Sequence, residues 1–278
     1  MGSHAPAESA ALLALARATA REAGELITRM RSAGVSVADT KSSPTDIVTE
    51  ADRACELLIR ERLLGSRPGD GFVGEESEKT ESSSGVVWIV DPIDGTVNYL
   101  YGLPHHCVSI AAAVDGEVVA GIVFAPALAL EYAATLGGGA YRNGVLLPQR
   151  GTERPLPPLA QSLVATGFGY EIGLRRHQAR SVGQLLPQVR DIRRIGSCAL
   201  DLCAVAGGEC DAYVEEGAHI WDHAAAGLVA RESGATLEVW PTPRGKELVV
   251  CAPNDSWAQF SDLVRSCGFD SESVLGAD

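Results

Sequence analysis

No stretch of the chain approaches the roughly 20 consecutive apolar residues of a membrane-spanning helix, and the N-terminus has no basic region followed by an apolar one. Neither a membrane span nor a secretory leader is expected. An excess of positive charge is also missing, since 23 Lys and Arg stand against 36 Asp and Glu, a net charge of -13. That sign repels phosphodiester backbones and anionic lipid headgroups, which argues against nucleic-acid and membrane-surface partners. The seven cysteines include no C-x-x-C pair and no companion histidines at zinc spacing. They read as reduced thiols of a cytoplasmic protein. Internal repeats and low-complexity tracts are absent too, and Met1-Gly2-Ser3-His4 reads as an appended leader that is set aside.

What is present is apolar material for a large core, 46% of 278 residues. Leu12, Leu15, Ala16, Thr19, Ala23, Leu26, Ile27 and Met30 follow the spacing of one helix face, with Gly34 just beyond. A second helix is predicted from Thr49, whose Thr49-Glu50-Ala51-Asp52 resembles a capping box, to Gly65. A short strand ends near Gly74, and Val86 to Val90, apolar on both faces, reads as a central strand stopped by Asp91-Pro92. Hairpins are expected around Asp115-Gly116 and around Arg142-Asn143-Gly144.

The proline-rich stretch from Gly151 to Pro158 is the candidate boundary between an N-terminal half, 5–151, and a C-terminal half, 152–278. The second half alternates strand and helix. Helices are predicted around Arg175 to Val189, from Gly196-Ser197, from Asp222 to Glu232 with Gly234 beyond it, and from about Ser256. Strands are predicted at Ser162 to Thr166, Ile192 to Ile195, Asp211 to Val214, Leu237 to Trp240 and Leu248 to Cys251. Mixed hairpins and crossovers predict an α+β fold of layered sheets rather than a parallel barrel.

The segment richest in chemistry is Asp91-Pro92-Ile93-Asp94-Gly95-Thr96-Val97-Asn98-Tyr99. A turn after the buried strand could aim Asp91 and Asp94 at one place, where two carboxylates repel unless a proton or cation joins them. Oxygen donors without nearby His or Cys suit Mg²⁺, Mn²⁺ or Ca²⁺ rather than zinc or iron. Gly95-Thr96 could open a short helix whose free N–H groups bind phosphate. Taken singly, Gly74-Glu75-Glu76-Ser77 is an acidic loop, Asp222 the N-cap of an Ala-rich helix, Lys41 a solvent-facing side chain and Glu215 a strand end.

In order, the loop with Lys41 and Asp52, then G-E-E-S, D-P-I-D-G-T-V-N-Y and W-D-H-A-A-A-G resemble the inositol monophosphatase family over nearly the whole chain. The resemblance implies a layered αβαβα sandwich of the inositol monophosphatase and fructose bisphosphatase type. It implies a Mg²⁺-dependent hydrolase of a small phosphate monoester, myo-inositol monophosphate foremost, with roughly two to three ions per site. By resemblance, Glu75, Asp91 and the Ile93 carbonyl hold the first ion, and Asp91, Asp94 and Asp222 the second. Glu75 would hold a weaker third. Thr96, with Asp52, matches the pair that orients and deprotonates the attacking water, and Gly95 and Thr96 match phosphate-binding amides.

Gly196, Ser197 and Cys198 match the segment that approaches the polyol, where Cys198 stands in place of a smaller Ala. Glu215 matches a carboxylate that reads ring hydroxyls. Gly167-Phe168-Gly169-Tyr170 looks like bacterial members, and His105, His106, His219 and His223 are expected to be structural or to line the site mouth. Lithium sensitivity and a homodimer follow from the resemblance as well. Histidinol phosphatase, or another sugar or nucleotide phosphatase of the superfamily, is the alternative within this class, and a non-catalytic regulatory protein on the same fold is the alternative outside it.

Overall fold

The computed structural model describes residues 6–35, 37–40, 47–151, 153 and 156–271. Lys41 and Met1 to His4 lie outside the described residues. The first half runs α1 (Pro6–Ala33), β1 (Val37–Thr40), β2 (Ile47–Thr49), α2 (Glu50–Ser66), β3 (Gly71–Gly74), β4 (Val86–Asp94) and α3 (Thr96–Tyr101). It continues through β5 (Cys107–Val114), β6 (Glu117–Ala125), β7 (Leu130–Thr135), β8 (Gly139–Arg142) and β9 (Val145–Leu146). The second half comprises β10 (Leu163–Thr166), α4 (Ile172–Leu185), β11 (Asp191–Arg193), α5 (Cys198–Gly207) and β12 (Ala212–Glu216). After these come α6 (Ile220–Glu232), β13 (Ala235–Pro241), β14 (Glu247–Pro253) and α7 (Trp257–Ser266).

Strands β3 to β9 form a seven-stranded sheet in sequence order, while the second sheet runs β11-β10-β12-β14-β13. Three hydrophobic clusters show how the layers stack. Leu12, Ala16, Ala20, Ala23 and Ile27 of α1 and Cys55, Ile59 and Leu63 of α2 cover one face of the large sheet against Trp88, Val90, Ile110 and Ile122. On its other face α5 and α6 lie between the two sheets, touching Ile89, Ala111 and Val123 on one side and Tyr213, Val249 and Cys251 on the other. Leu185 of α4 and Phe260 and Val264 of α7 close the outer face of the small sheet. The order is α, β, α, β, α, as the resemblance implied.

The middle layer is thin because its residues are small. Gly121 of β6 sits so close to α6 that a Cβ there would stand 2.9 Å from the Ala225 carbonyl oxygen. All seven cysteines are free and buried, which keeps their thiols protonated and inert.

Three local expectations are corrected. Pro92 does not end strand pairing: β4 continues to Asp94, with Asp91 opposite Ser109 and Asp94 opposite Cys107, so three steps on β4 match two on β5. The proline is accommodated in this bulge, where its missing N–H leaves no ladder bond broken. Asp222 is not the N-cap of α6; His219 is, and Asp222 occupies the third helical position, where its carboxylate accepts the His219 N–H at 2.5 Å. Helix α4 stops at Leu185 rather than Val189, a 3-10 turn over Leu186–Gln188 following at Pro187. Strand β7 was not anticipated.

Candidate active site

The bulge in β4 sets the geometry of the acidic motif. In a regular strand residues three apart face opposite sides, but the extra residue between Asp91 and Asp94 returns both side chains to one side of the sheet. Gly95 then turns the chain at φ +92°, and a Cβ there would stand 2.8 Å from the His105 carbonyl and 3.2 Å from that of Gly196. Only glycine combines that φ with so close an approach. Helix α3 begins at Thr96, and the Asn98 side-chain amide donates to the carbonyls of His105 at 2.7 Å and Ile195 at 2.9 Å, tying the motif to the second half.

A cavity of about 230 Å³ is lined by Glu75, Asp91, Ile93, Asp94, Gly95, Thr96 and Asp222 together with Gly196, Ser197, Cys198 and Glu215. Every site residue read from the sequence except Asp52 therefore opens onto one space. Asp52 lies fully buried behind it, accepting the Thr96 hydroxyl at 3.1 Å; that hydroxyl stands equally 3.1 Å from the Ile93 carbonyl. The capping box fixes Asp52, whose other oxygen takes the Thr49 N–H at 2.7 Å and the Thr49 hydroxyl at 2.5 Å. Burial raises the Asp52 pKa, and the Thr49 hydrogen bonds oppose that rise. A larger open groove of about 840 Å³ beside α1 contains none of these residues.

Asp94 is 8% exposed and rests on the start of α5, accepting the Ser197 hydroxyl at 2.6 Å and the N–H groups of Ala199 at 2.7 Å and Cys198 at 3.3 Å. A helix N-terminus suits an anion. Asp91 has less support: the Ile93 N–H donates to it at 2.9 Å, and burial followed by repulsion from Glu75, Asp94 and Asp222 raises its pKa well above the usual carboxylate range. Asp222 is raised for the same reasons, burial and then Asp94 and Glu75. Among the described residues neither Asp91, Asp94 nor Asp222 has a Lys, Arg or His ion-pair partner.

No group of three His, Cys, Asp or Glu among the described residues is arranged as a ready metal-coordination group. The fit to a cation is chemical. The donors are hard oxygens, they are buried, and their mutual repulsion is relieved by a proton or by a divalent ion. Glu75 joins them from the loop after β3, where Gly74 passes so close to Glu56 that a Cβ would stand 2.4 Å from its Oε2; the same oxygen accepts the Glu76 N–H at 2.8 Å.

On the other wall Glu215 accepts the Tyr213 hydroxyl at 2.6 Å, two residues back on the same face of β12. Burial pushes its pKa up to about 6, with the Tyr213 hydrogen bond and Arg194 opposing. Arg194 lines this wall above the Phe168 ring, and Lys246 pairs with Glu171 at 2.7 Å. His219 stacks on Trp221 at the cavity, whereas buried His106 bonds Leu103, and buried His223 has its pKa lowered to about 4 by desolvation.

Sequence reasoning missed Glu56, Arg194 and Asp201. Glu56 and Asp201 are polar residues at core-facing helix positions, a spacing signal that could have found them. Arg194 carried no comparable signal.

Known proteins can now be set beside this geometry. Residues 8–257 match the model of the inositol monophosphatase family. The chain is 43% identical over 271 residues to the inositol-1-monophosphatase of Mycobacterium leprae, covering 94% of this chain and 93% of that protein. It is 36% identical over 228 residues, 81% of this chain and 84% of the other, to a protein of Escherichia coli K12 named Nus factor SuhB. The solved structure of Mycobacterium tuberculosis SuhB superposes with a TM-score of 0.80 at 38% identity, covering 93% of this chain and 97% of that one. The chain belongs to the inositol monophosphatase family.

Proposed function

We propose that the chain hydrolyses a small phosphate monoester, myo-inositol monophosphate foremost, with Mg²⁺ held by Glu75, Asp91, Asp94, Asp222 and the Ile93 carbonyl. The observation that carries this reading is the set of buried, mutually repelling carboxylates facing the Thr96–Asp52 hydrogen bond across one cavity. Bound divalent ions would neutralise phosphoryl charge and acidify a water. The chain's own residues do the rest. Thr96 orients the attacking water through its hydroxyl, and Asp52, whose pKa burial raises, is suited to draw off the proton. The N–H groups of Gly95 and Thr96 bind phosphate oxygens, and Glu215 accepts hydroxyls of the leaving alcohol. Mg²⁺ as the ion, lithium sensitivity, a homodimer and a cytoplasmic setting belong to the same proposal.

A second reading comes from the E. coli relative, whose name is that of a Nus factor: a regulatory role on the same fold. The two separate on activity. Purified protein should release phosphate from inositol 1-phosphate only with Mg²⁺, and Asp94→Asn or Asp222→Asn should lower turnover by orders of magnitude while thermal unfolding stays cooperative. Absence of phosphate release from inositol 1-phosphate, histidinol phosphate, fructose bisphosphate and phosphoadenosine phosphate alike would favour the regulatory reading. Dominant turnover of histidinol phosphate would move the substrate and keep the enzyme.

A further inference from the structure

Behind the cavity wall that carries Glu215 lies a buried polar network to which the reaction assigns nothing. Glu216, the next residue on β12, faces the opposite side of the sheet and is 1% exposed. Its Oε1 accepts the Thr242 hydroxyl at 2.7 Å and the Arg244 Nε–H at 2.8 Å, and Arg244 continues to the carbonyl of Phe269 at 2.8 Å. Gln178 of α4, also 1% exposed, donates through Nε2 to the Glu216 carbonyl at 2.8 Å. Its Oε1 accepts the Gly169 N–H at 3.0 Å. One side-chain amide thus spans from the end of β12 to the loop that follows β10.

These two segments are the seat of Glu215. The Glu215 carboxylate lies flat against the backbone of Gly167, where a Cβ would stand 1.8 Å from its Oε2, and Tyr213 fixes the same oxygen from within the strand. If the loop moved away from β12, the carboxylate would lose one wall and its direction into the cavity would no longer be set. A buried amide with both ends satisfied resists that motion, because breaking either hydrogen bond leaves a desolvated polar group unpaired.

We propose that Gln178, braced by Glu216, Thr242 and Arg244, is a positioning residue that holds Glu215 against Gly167 and so sets recognition of the leaving alcohol's hydroxyls. This rests on the polyol phosphatase reading above. Gln178 touches neither substrate nor metal ligand; it acts through the loop and the strand end.

The test compares wild type and Gln178→Met on two substrates with Mg²⁺ present: inositol 1-phosphate, whose ring hydroxyls Glu215 reads, and 4-nitrophenyl phosphate, which has none. The expected result is a rise of about tenfold in KM for inositol 1-phosphate, the size of one lost charge-assisted hydrogen bond, with kcat within about threefold and KM for 4-nitrophenyl phosphate unchanged. Equal changes on both substrates, or none on either, overturn the inference while leaving the phosphatase reading intact. No turnover of either substrate by wild type removes that reading and the inference with it. Should Gln178→Met lack a cooperative unfolding transition, Thr242→Val, which removes one hydroxyl of the same network, carries the test by the same KM criterion.

Discussion

Replacing Asp201 with Asn measures what it costs the fold to bury a carboxyl without a partner. Asp201 lies on α5 at 1% exposure, and neither of its oxygens meets a hydrogen-bond donor. Burial, then repulsion from Glu215 and Asp94, pushes its pKa from 3.8 up to about 9, with Arg194 opposing. The folded chain therefore keeps a proton that the unfolded chain releases across this interval. The contribution is fully present below about pH 4 and is lost as pH rises through about 9. At pH 7, some three units above the ordinary value, retaining that proton costs roughly 4 kcal/mol at about 1.4 kcal/mol per unit. Asn does not titrate, but its amide enters the same unpartnered place, a penalty of about 1–3 kcal/mol that does not vary with pH. The slope is thus more diagnostic than the offset.

Urea unfolding of both proteins in chelator at pH 5, 6.5 and 8 should show the variant gaining on wild type by about 4 kcal/mol across that range. Raised pKa values at Asp91 and Asp222 also tilt the curves, but they are common to both proteins and largely cancel in the difference. A stability difference that stays constant with pH would refute the claim that Asp201 is held protonated by the fold.

The pKa of Glu215, raised to about 6 by burial, predicts that its acceptor capacity fades below that pH. KM for inositol 1-phosphate should climb as pH falls from 6 to 5 in wild type and stay flat in Glu215→Gln; parallel profiles measured by phosphate release would contradict this. Gly95→Ala adds about 1–2 kcal/mol of backbone strain at φ +92° and pushes a methyl against two backbone carbonyls. A fall in Tm of about 5 °C with at least a tenfold loss of turnover is expected, and wild-type values for both would show that the turn relaxes freely.

Signals carried by a few neighbouring residues survived translation into structure better than those set by pairing across the sheet. The helix face through Leu12 and Ile27 and the capping box at Thr49 and Asp52 appear as read, because each depends on residues adjacent along the chain. The convergence of Glu75, Asp91, Asp94, Thr96, Asp222 and Glu215 was legible only as an ordered combination, since each residue alone has a bland explanation. Bare periodicity does not reveal a bulge, so Asp91-Pro92-Ile93-Asp94 looked like a turn. Leu130 to Thr135, with four small or polar residues in six, gives too weak an alternation to announce β7. Glu56, Gln178 and Asp201 looked like the polar residues any helix carries, and only counting their place on the apolar spacing of each helix marks them as inward-facing.

The bulge in β4 has a consequence for how this site tolerates change. Its two central carboxylates share a face because of a residue count, an odd interval on one strand answered by an even one on its neighbour. Side-chain identity within the interval matters less than the extra residue, which sets where Asp94 and the turn after it fall. Exchanging Ile93 for another aliphatic residue would leave both acids aimed into the cavity, whereas deleting one residue between them would restore a regular strand and shift the whole Gly95-Thr96 turn by one place. In this segment the position of the Gly95-Thr96 turn depends on length more than on the identity of Ile93, and insertions or deletions are the class of change it can least absorb.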